Sequence, residues 1–408
     1  MKILHTSDWH LGKRLDDFSR IGDQEAVLEE ICALAQQEEA DAIVIAGDLY
    51  DTFNPPAEAI ELFYKTVKRL SANGQRAVIA IAGNHDSPER IEAPDPLARA
   101  CGILFAGFPQ VQISPFSLEN GIQVLRSEPG FVELKLPRVE APLRLLLTPY
   151  ANEIRLKSFL GLENPETALR EALAVSWRRV ADAYCSPHGV NLLLTHLMFV
   201  ADGDTPPEEP DEEKPILHVG GAQAIFTSDI PPQVQYTALG HLHRMQQVKG
   251  AAGPVIYSGS PLSYSFAEAG QQKYVVLIEA EPGSPVRMKH LALHCGRPLL
   301  RKRAEGVEEA LLWLSEHQEA LVELTLVTES FLSARERKML LQVHPGVVTI
   351  IPEVKGSEGE EPGQNTRIDL TQPMATLFSD FFTAQKGMPP NHEIMQLFHE
   401  ILAEEAES

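Results

Sequence analysis

Seven residues suited to hold a metal ion, Asp8, His10, Asp48, Asn84, His196, His241 and His243, recur in order along this chain. They fall in five clusters: Asp8-x-His10, Gly47-Asp48-x-x-Asp51, Gly83-Asn84-His85-Asp86, the single His196, and Gly240-His241-x-His243. Two divalent cations about 3.5–4 Å apart need a carboxylate between them and flanking ligands that leave positions open for water and substrate. Asp48 is the candidate for the shared carboxylate. Asp8, His10 and His243 complete one ion's set, and Asn84, His196 and His241 the other's. Mixed Asp, His and Asn ligation suits manganese, iron or zinc better than calcium. Such a pair turns water into hydroxide near neutral pH and stabilises the charge that builds on an attacked phosphorus centre, so the chemistry is phosphoester hydrolysis. His85, beside a ligand but not needed as one, is placed to protonate the leaving oxygen or bind a non-bridging phosphate oxygen. A carboxylate would fix its tautomer, and Asp51 is preferred to Asp86 because residues three apart after a strand can turn back toward the neighbouring loop.

Each cluster begins where an apolar run stops. Lys2 to Ser7, Ala42 to Ala46, Ala77 to Ala82, Asn191 to Thr195 and Tyr236 to Leu239 read as short buried strands, so the ligands gather at one edge of a sheet. Loops at the carboxyl ends of strands are the ordinary place for a site in an open α/β sheet. A lone His at a strand end is commonly a hydrogen-bonded core residue, which is how His5 is read; His196 counts as a ligand because of the four clusters around it. Trp9, between two ligands, reads as packing.

With 408 residues, 44% hydrophobic and 23% charged, the chain is long enough for a sizeable core and for two or more domains. Asp8 arrives before a signal-peptide apolar region can form, and no run approaches a membrane span, so the expected location is the cytoplasm with no membrane partner. Cys32, Cys101, Cys185 and Cys295 are scattered, with no C-x-x-C pair, and read as reduced, mostly buried thiols. The formal charge of −22 argues against a protein that binds nucleic acid unaided, which needs a basic face to neutralise phosphates. Bound cations reverse the sign locally, and a more basic partner would supply the rest of the attraction.

Longer strings around the clusters carry a resemblance. They are Met1-Lys-Ile-Leu-His-Thr-Ser-Asp-Trp-His-Leu-Gly12, Ala46-Gly-Asp-Leu-Tyr-Asp-Thr52, Ala238-Leu-Gly-His-Leu-His-Arg244, and Tyr257-Ser-Gly-Ser-Pro-Leu-Ser263 followed by Ser265-Phe266 and Lys273-Tyr274. The chain resembles the calcineurin-like metallophosphoesterase superfamily, and within its DNA-repair exonuclease branch the SbcD family of nuclease subunits. Gly107 to Gly189 and the carboxyl-terminal third match in plan more than in letters. The resemblance implies an α/β fold, a four-layered sandwich of two sheets flanked by helices, with a small α+β capping domain and a C-terminal helical segment. It also implies two Mn2+ ions and cleavage of DNA in repair and recombination, as an exonuclease on double-stranded ends and an endonuclease on single strands and hairpins. The implied partners are DNA and an SbcC-type ATPase with a coiled coil, in a heterotetramer holding a homodimer of the nuclease; Pro56 to Leu70 is the candidate pairing helix by that analogy alone. Archaeal and eukaryotic relatives carry His where Asp51 stands, which marks this chain as bacterial in type. Another metallophosphoesterase activity, on a small phosphodiester or a phosphoprotein, is the rival, but Thr52 stands where protein phosphatases place a phosphate-binding Arg. A non-catalytic scaffold would have lost ligands, and none is lost here.

The implied organisation places a nuclease domain at 1–280, with an acidic, Pro-rich loop at 201–215 that is expected to be mobile and either borders the substrate entrance or is a solvated spacer. A β-α-β-α-β capping module follows at 281–354, a Gly/Glu-rich linker at 355–373, and a helix-loop-helix at 374–408. Arg297, Arg301, Lys302 and Arg303 form the module's basic cluster and read as a solvated strand edge. Ile394, Leu397, Phe398, Ile401 and Leu402 form an apolar stripe at helical spacing, and Phe378, Phe381 and Phe382 another. With little domain left after the linker to bury them, these faces suit a partner groove, which in the resembled family is the root of the ATPase coiled coil.

Overall fold

The computed structural model describes residues 1–156, 165–204, 224–329, 332–354 and 374–386, with Pro390, Met395 and Phe398. Residues that alternate in direction but are buried on both sides build two sheets facing one another. The first has six strands in the order Arg287–Leu293, Lys273–Glu279, Lys2–Thr6, Ala42–Ala46, Ala77–Ile81, Ile103–Ala106. The second has seven, in the order Gln246–Val248, Val255–Tyr257, Tyr236–Leu239, Val190–Thr195, Val139–Thr148, Phe131–Leu136, Gln123–Glu128. Period two explains the near-continuous apolar runs. Ile3, Val44 and Ile79 of the first sheet meet Leu145, Leu192 and Tyr236 of the second in the central core. Leu4, Ile43, Ile45 and Val78 point the other way, to the helices Ile21–Gln37 and Ala57–Leu70. Those helices offer matching stripes, Val27, Leu28, Ile31 and Ala35 on one and Ala59, Phe63, Val67 and Leu70 on the other. On the outer face of the second sheet, Leu146 and Leu193 pack with Leu169, Leu173 and Trp177 of the helix Pro165–Tyr184. The result is the helix–sheet–sheet–helix sandwich expected for the superfamily.

The sheets are pinned to each other by a buried histidine. His5 Nδ1 lies 2.9 Å from the Tyr236 hydroxyl and Nε2 3.2 Å from the Leu239 carbonyl, so both ring nitrogens are used in joining the sheets. Burial lowers its pKa to about 3, which keeps the ring neutral. Trp9 is wholly buried, bonded through Nε1 to Thr6 Oγ1 at 3.0 Å and packed edge-on against Phe63.

Strand Arg287–Leu293 corrects the sequence division at residue 280. It pairs antiparallel with Lys273–Glu279 through Glu279↔Arg287, so the first sheet continues well past that point. Its first half, Arg287 to His290, is mostly polar and exposed, and only Leu291 and Leu293 at its end are buried in the core, so this polar opening concealed its membership. The small module then follows as strand Leu299–Glu305, helix Val307–Glu316, strand Leu321–Thr328, helix Ala334–Val343 and strand Val347–Val354. Its core is Ala304, Ala310, Leu314, Val322, Leu324, Leu326 and Leu340, and helix Ala334–Val343 opens on a capping box of Ser333 and Glu336. The basic cluster is neutralised: Arg297 pairs with Asp23, Arg301 with Glu323, Lys302 with Glu309, and Arg303 with Glu353 and Glu305.

Met1–Thr328 and Leu332–Glu353 form one compact unit. In the other, Phe378 of helix Met374–Lys386 stacks on Phe398 with ring centroids 4.0 Å apart, and Phe381 is exposed. Ile394, Leu397, Ile401 and Leu402, the linker at 355–373 and the loop residues 205–215 lie outside the described residues. All four cysteines are free thiols; Cys32 and Cys185 are buried, Cys101 is half-buried and Cys295 is exposed, so burial extends to fewer of them than the sequence suggested. No helix among the described residues is long and apolar enough to cross a membrane.

Candidate metal centre

The parallel strands Lys2–Thr6, Ala42–Ala46 and Ala77–Ile81 of one sheet and Val190–Thr195 and Tyr236–Leu239 of the other release their ligand loops at a shared edge. Those loops bend sharply. Asp8, His10, Asp48 and His241 all have positive φ, at 52°, 43°, 47° and 98°, a costly conformation for residues with a Cβ that clusters at functional sites. Glycines let the loops close on one another. A Cβ on Gly47 would lie 2.2 Å from His196 Nδ1, and one on Gly83 2.0 Å from Asp48 Oδ1.

The side chains meet with acceptor facing acceptor. His196 Nδ1 donates to the Ala46 carbonyl at 2.7 Å, which leaves Nε2 as the lone-pair nitrogen of a neutral ring. That nitrogen is 2.8 Å from Asn84 Oδ1 and 3.3 Å from Asp48 Oδ2. Positive charge must lie between these atoms, either a proton on the ring or a cation. Without an ion the proton supplies it: burial opposes the charged ring, but the Asp48 carboxylate outweighs it and raises the His196 pKa to about 9. The second group repeats the pattern, with His10 Nε2 and His243 Nε2 3.0 Å apart and only one proton able to fit. Asp48 Oδ2 is 3.4 Å from His10 Nε2, so one carboxylate oxygen faces both groups. Burial works against the charge on Asp48, yet the surrounding His196 and His85 hold its pKa well below the usual carboxylate range. Asp8, His10 and His243, and separately Asp8, Asp48 and His196, bring ligand atoms within 4.8 Å of one another. Asn84 Oδ1 also lies 3.1 Å from His241 Nδ1, and Asp8 Oδ1 accepts the His241 main-chain N–H at 2.9 Å. The donor set fits divalent cations, which Asp8, His10, Asp48, Asn84, His196, His241 and His243 could hold.

His85 sits at the rim, its ring 4.8 Å from that of His10. Its orientation differs from the one read in the sequence. His85 Nδ1 meets the main-chain carbonyl of Asp51 at 2.8 Å rather than either candidate carboxylate. The Asp51 carboxylate instead lies 3.5 Å from His10 Nδ1 and 3.1 Å from Lys13 Nζ. Asp86 is wholly buried and accepts the N–H groups of Leu49, Tyr50 and Gly83 at 3.0, 3.0 and 2.8 Å, which ties the Asn84 loop to the Asp48 loop. Burial and the nearby Asp48 charge raise its pKa to about 6. The physical reason for the difference is that a carbonyl fixes the Nδ1–H tautomer as well as a carboxylate does, and adds no charge. His85 Nε2 has no hydrogen-bond partner among the described residues.

Sequence reasoning missed the supports behind the ligands. Arg155 is buried and donates to the carbonyls of Gly83 at 2.7 Å and Asp86 at 2.8 Å, clamping the Asn84 loop from the second sheet's side. Gln24 Nε2 donates to the His10 carbonyl at 2.7 Å while its Oε1 accepts from Gly12 N at 3.0 Å. Glu268 stands 3.5 Å from His243 Nδ1 and pairs with Lys273; burial opposes its charge, but these two neighbours lower its pKa to about 2. None of these residues carries a motif that marks it in a single sequence.

Comparison with known proteins agrees with this geometry. Residues 1–244 match the calcineurin-like phosphoesterase model. The SbcD component of the SbcCD nuclease of Bacillus subtilis (strain 168) is 36% identical over 409 residues, covering 98% of this chain and 97% of that one. The SbcD proteins of Rhodobacter capsulatus and Escherichia coli K12 are 31% and 29% identical, covering 75% and 83% of this chain and 72% and 81% of their own. The chain belongs to the calcineurin-like phosphoesterase family and, within it, to the SbcD-type nuclease subunits.

Proposed function

We propose that the chain is the metal-dependent DNA nuclease subunit of an SbcCD-type complex, working with two Mn2+ ions and an SbcC-type ATPase. The observation that carries the site reading is Asp48 Oδ2, 3.3 Å from His196 Nε2 and 3.4 Å from His10 Nε2, with the unpartnered His85 Nε2 in the same cluster of loops. When bound, the two cations would lower the pKa of a water and neutralise the attacked phosphate. The chain's own residues do the rest. Asp48 and Asp8 present fixed negative charge, the neutral rings of His10, His196, His241 and His243 present lone pairs, and Gly47 and Gly83 keep the loops close enough to do both. In its doubly protonated form, with Nδ1–H on the Asp51 carbonyl, His85 presents Nε2–H to give that proton to the leaving oxygen or to bind a phosphate oxygen. Lys13, paired with Asp51, keeps that carboxylate from competing with substrate phosphate.

The same membership supports this reading of substrate and partners. DNA phosphodiesters are cleaved at double-stranded ends in an ATP-dependent manner, and at hairpins and single strands, in repair and recombination. The chain's net charge of −22, with its basic cluster paired, supports a partner that supplies the attraction to DNA. The ATPase docks on the terminal helical segment, for which the exposed Phe381 of helix Met374–Lys386 is the best-supported contact; two copies of the nuclease complete a cytoplasmic heterotetramer. The test is cleavage of linear duplex, hairpin and single-stranded DNA with Mn2+, alone and with the ATPase plus ATP. Duplex digestion that needs partner and ATP supports the proposal. Turnover of a small phosphodiester with no DNA cleavage in any condition would move the substrate to another phosphoester class.

A further inference from the structure

His243 is the last of the candidate ligands in the chain, and what holds it lies outside the five ligand clusters. Glu268 closes a short turn at Phe266–Glu268 and is 6% exposed. One carboxylate oxygen, Oε1, lies 3.5 Å from His243 Nδ1 and accepts the Tyr264 N–H at 3.1 Å. The other, Oε2, pairs with the Lys273 ammonium. Lys273, itself buried, also donates to the His243 carbonyl at 2.9 Å and to Ser260 Oγ at 3.0 Å. Glu268 thus holds the ring of His243 while Lys273 holds its main chain, and the pair is neutral as a unit. The opposite ring nitrogen, Nε2, is the one that faces His10 Nε2 at 3.0 Å, in the group formed with Asp8. A ring nitrogen that ligates must be unprotonated, so the proton has to reside on the other nitrogen. A carboxylate there selects that tautomer, fixes the ring plane and makes the ligating nitrogen more basic.

We propose that Glu268, anchored by Lys273, is a positioning residue that keeps the His243 proton on Nδ1 and turns Nε2 toward the ion shared with Asp8 and His10. The inference rests on the two-metal reading above. It also gives a purpose to the stretch from Tyr257 to Lys273: Ser260, Tyr264, Glu268 and Lys273 form one bonded network behind a single ligand.

The experiment titrates Mn2+ into full-length, chelator-stripped protein by calorimetry, comparing wild type with Glu268→Gln, Lys273→Met and the double variant Glu268→Gln/Lys273→Met. Gln keeps the shape of Glu and loses its charge, and the double variant avoids leaving a buried ammonium unpaired. Wild type should bind two ions. Removing Glu268 should weaken one of the two by roughly ten- to hundredfold in either background, leaving the other unchanged, as expected for loss of a residue that orients a ligand. Lys273→Met should cost far less affinity, since Glu268 remains on the ring. Equal affinities in Lys273→Met and the double variant would overturn the inference, and so would equal weakening of both sites together with a fall in melting temperature. Wild type that binds no Mn2+ would overturn the metal-centre reading itself, a result distinct from either.

Discussion

The metal centre and the junction around Asp23 are built from the same kinds of charged residue and satisfy them in opposite ways. At the junction, donors meet acceptors: the buried Arg20 donates from Nε to Asp23 at 2.8 Å and from its other nitrogens to the carbonyls of Ser263 and Arg297, while Arg297 donates to both Asp23 oxygens. At the metal centre, lone pairs face lone pairs, as with His196 Nε2 and Asn84 Oδ1 or His10 Nε2 and His243 Nε2. The first arrangement is complete within the protein and ties the start of helix Ile21–Gln37 to the chain entering the small module. The second is complete only when positive charge is added. One region therefore serves stability and the other chemistry, and substitutions should separate the two.

Asp48→Ala gives the largest expected effect, because it removes an oxygen that lies within 3.4 Å of both His10 Nε2 and His196 Nε2. Losing a shared ligand removes several kcal/mol of transition-state stabilisation, so kcat on a chromogenic phosphodiester should fall by about three orders of magnitude or more. Melting temperature without metal should change little, since removing Asp48 relieves the cost of burying its carboxylate and so offsets the lost attraction to His196. A variant that retains a tenth of wild-type turnover would break the distinction between the regions.

His85→Gln should come next. Loss of a positioned acid costs roughly a hundred- to ten-thousandfold in rate, here in kcat with bound metal unchanged, read by single-turnover kinetics beside elemental analysis. Loss of metal together with activity would instead make His85 part of the ligand scaffold.

How far the sequence disclosed this site depends on what kind of information each residue carries. Asp8, Asp48 and His241 were legible because each follows an apolar run and shares a tight glycine-containing or D-x-H turn, and strand ends are where α/β sheets place chemistry. The strand bounds at Ala42–Ala46 and Tyr236–Leu239 match the reading residue for residue, since burial on both faces makes these runs almost wholly apolar. The orientation of His85 was not legible, because its partner is a carbonyl, and a carbonyl has no residue type. Arg155 and Glu268 were not legible either: an Arg in a helical turn and a Glu after Phe266 are ordinary surface patterns until the chain brings them to Gly83 and His243. Strand Arg287–Leu293 was missed because its first half, Arg-Met-Lys-His, is mostly exposed and reads like a linker rich in charge, with buried leucines only at its end.

The junction should show the converse of Asp48. Asp23→Ala leaves the Arg20 guanidinium buried with carbonyls but no counter-charge, and should cost about 3 kcal/mol, the low end for breaking a buried pair because Arg297 is partly exposed to solvent. Turnover per folded molecule should be unchanged. Burial works against the Asp23 charge, but Arg297 and Arg20 hold its folded pKa below the unfolded value of 3.8. Its contribution is therefore present above that value and is lost as pH falls through the folded pKa. Urea unfolding at pH 7 and at pH 3 should show the gap between wild type and variant narrowing at the lower pH. A gap that widens on acidification would contradict the pairing.

The smallest effect belongs to Arg301→Ala, and it decides whether the paired basic cluster has any role beyond the fold. Arg301 is more than half exposed and bonds Glu323 across the parallel pair of strands at 2.7 Å. Exposed pairs of this kind contribute about 0–1 kcal/mol, so unfolding should shift by no more than about 0.5 kcal/mol. Hydrolysis of a small phosphodiester should not change, because the residue is remote from every ligand loop in sequence and is paired within its own sheet. DNA is the sharper substrate. If Arg301 exchanged Glu323 for a phosphate on binding, the variant would release about one fewer counterion, and the salt dependence of duplex cleavage by the complex would become shallower by about one unit of slope. An unchanged slope is the expected result, since Arg301 already holds the Glu323 carboxylate through Nε and a phosphate would have to compete with that charge.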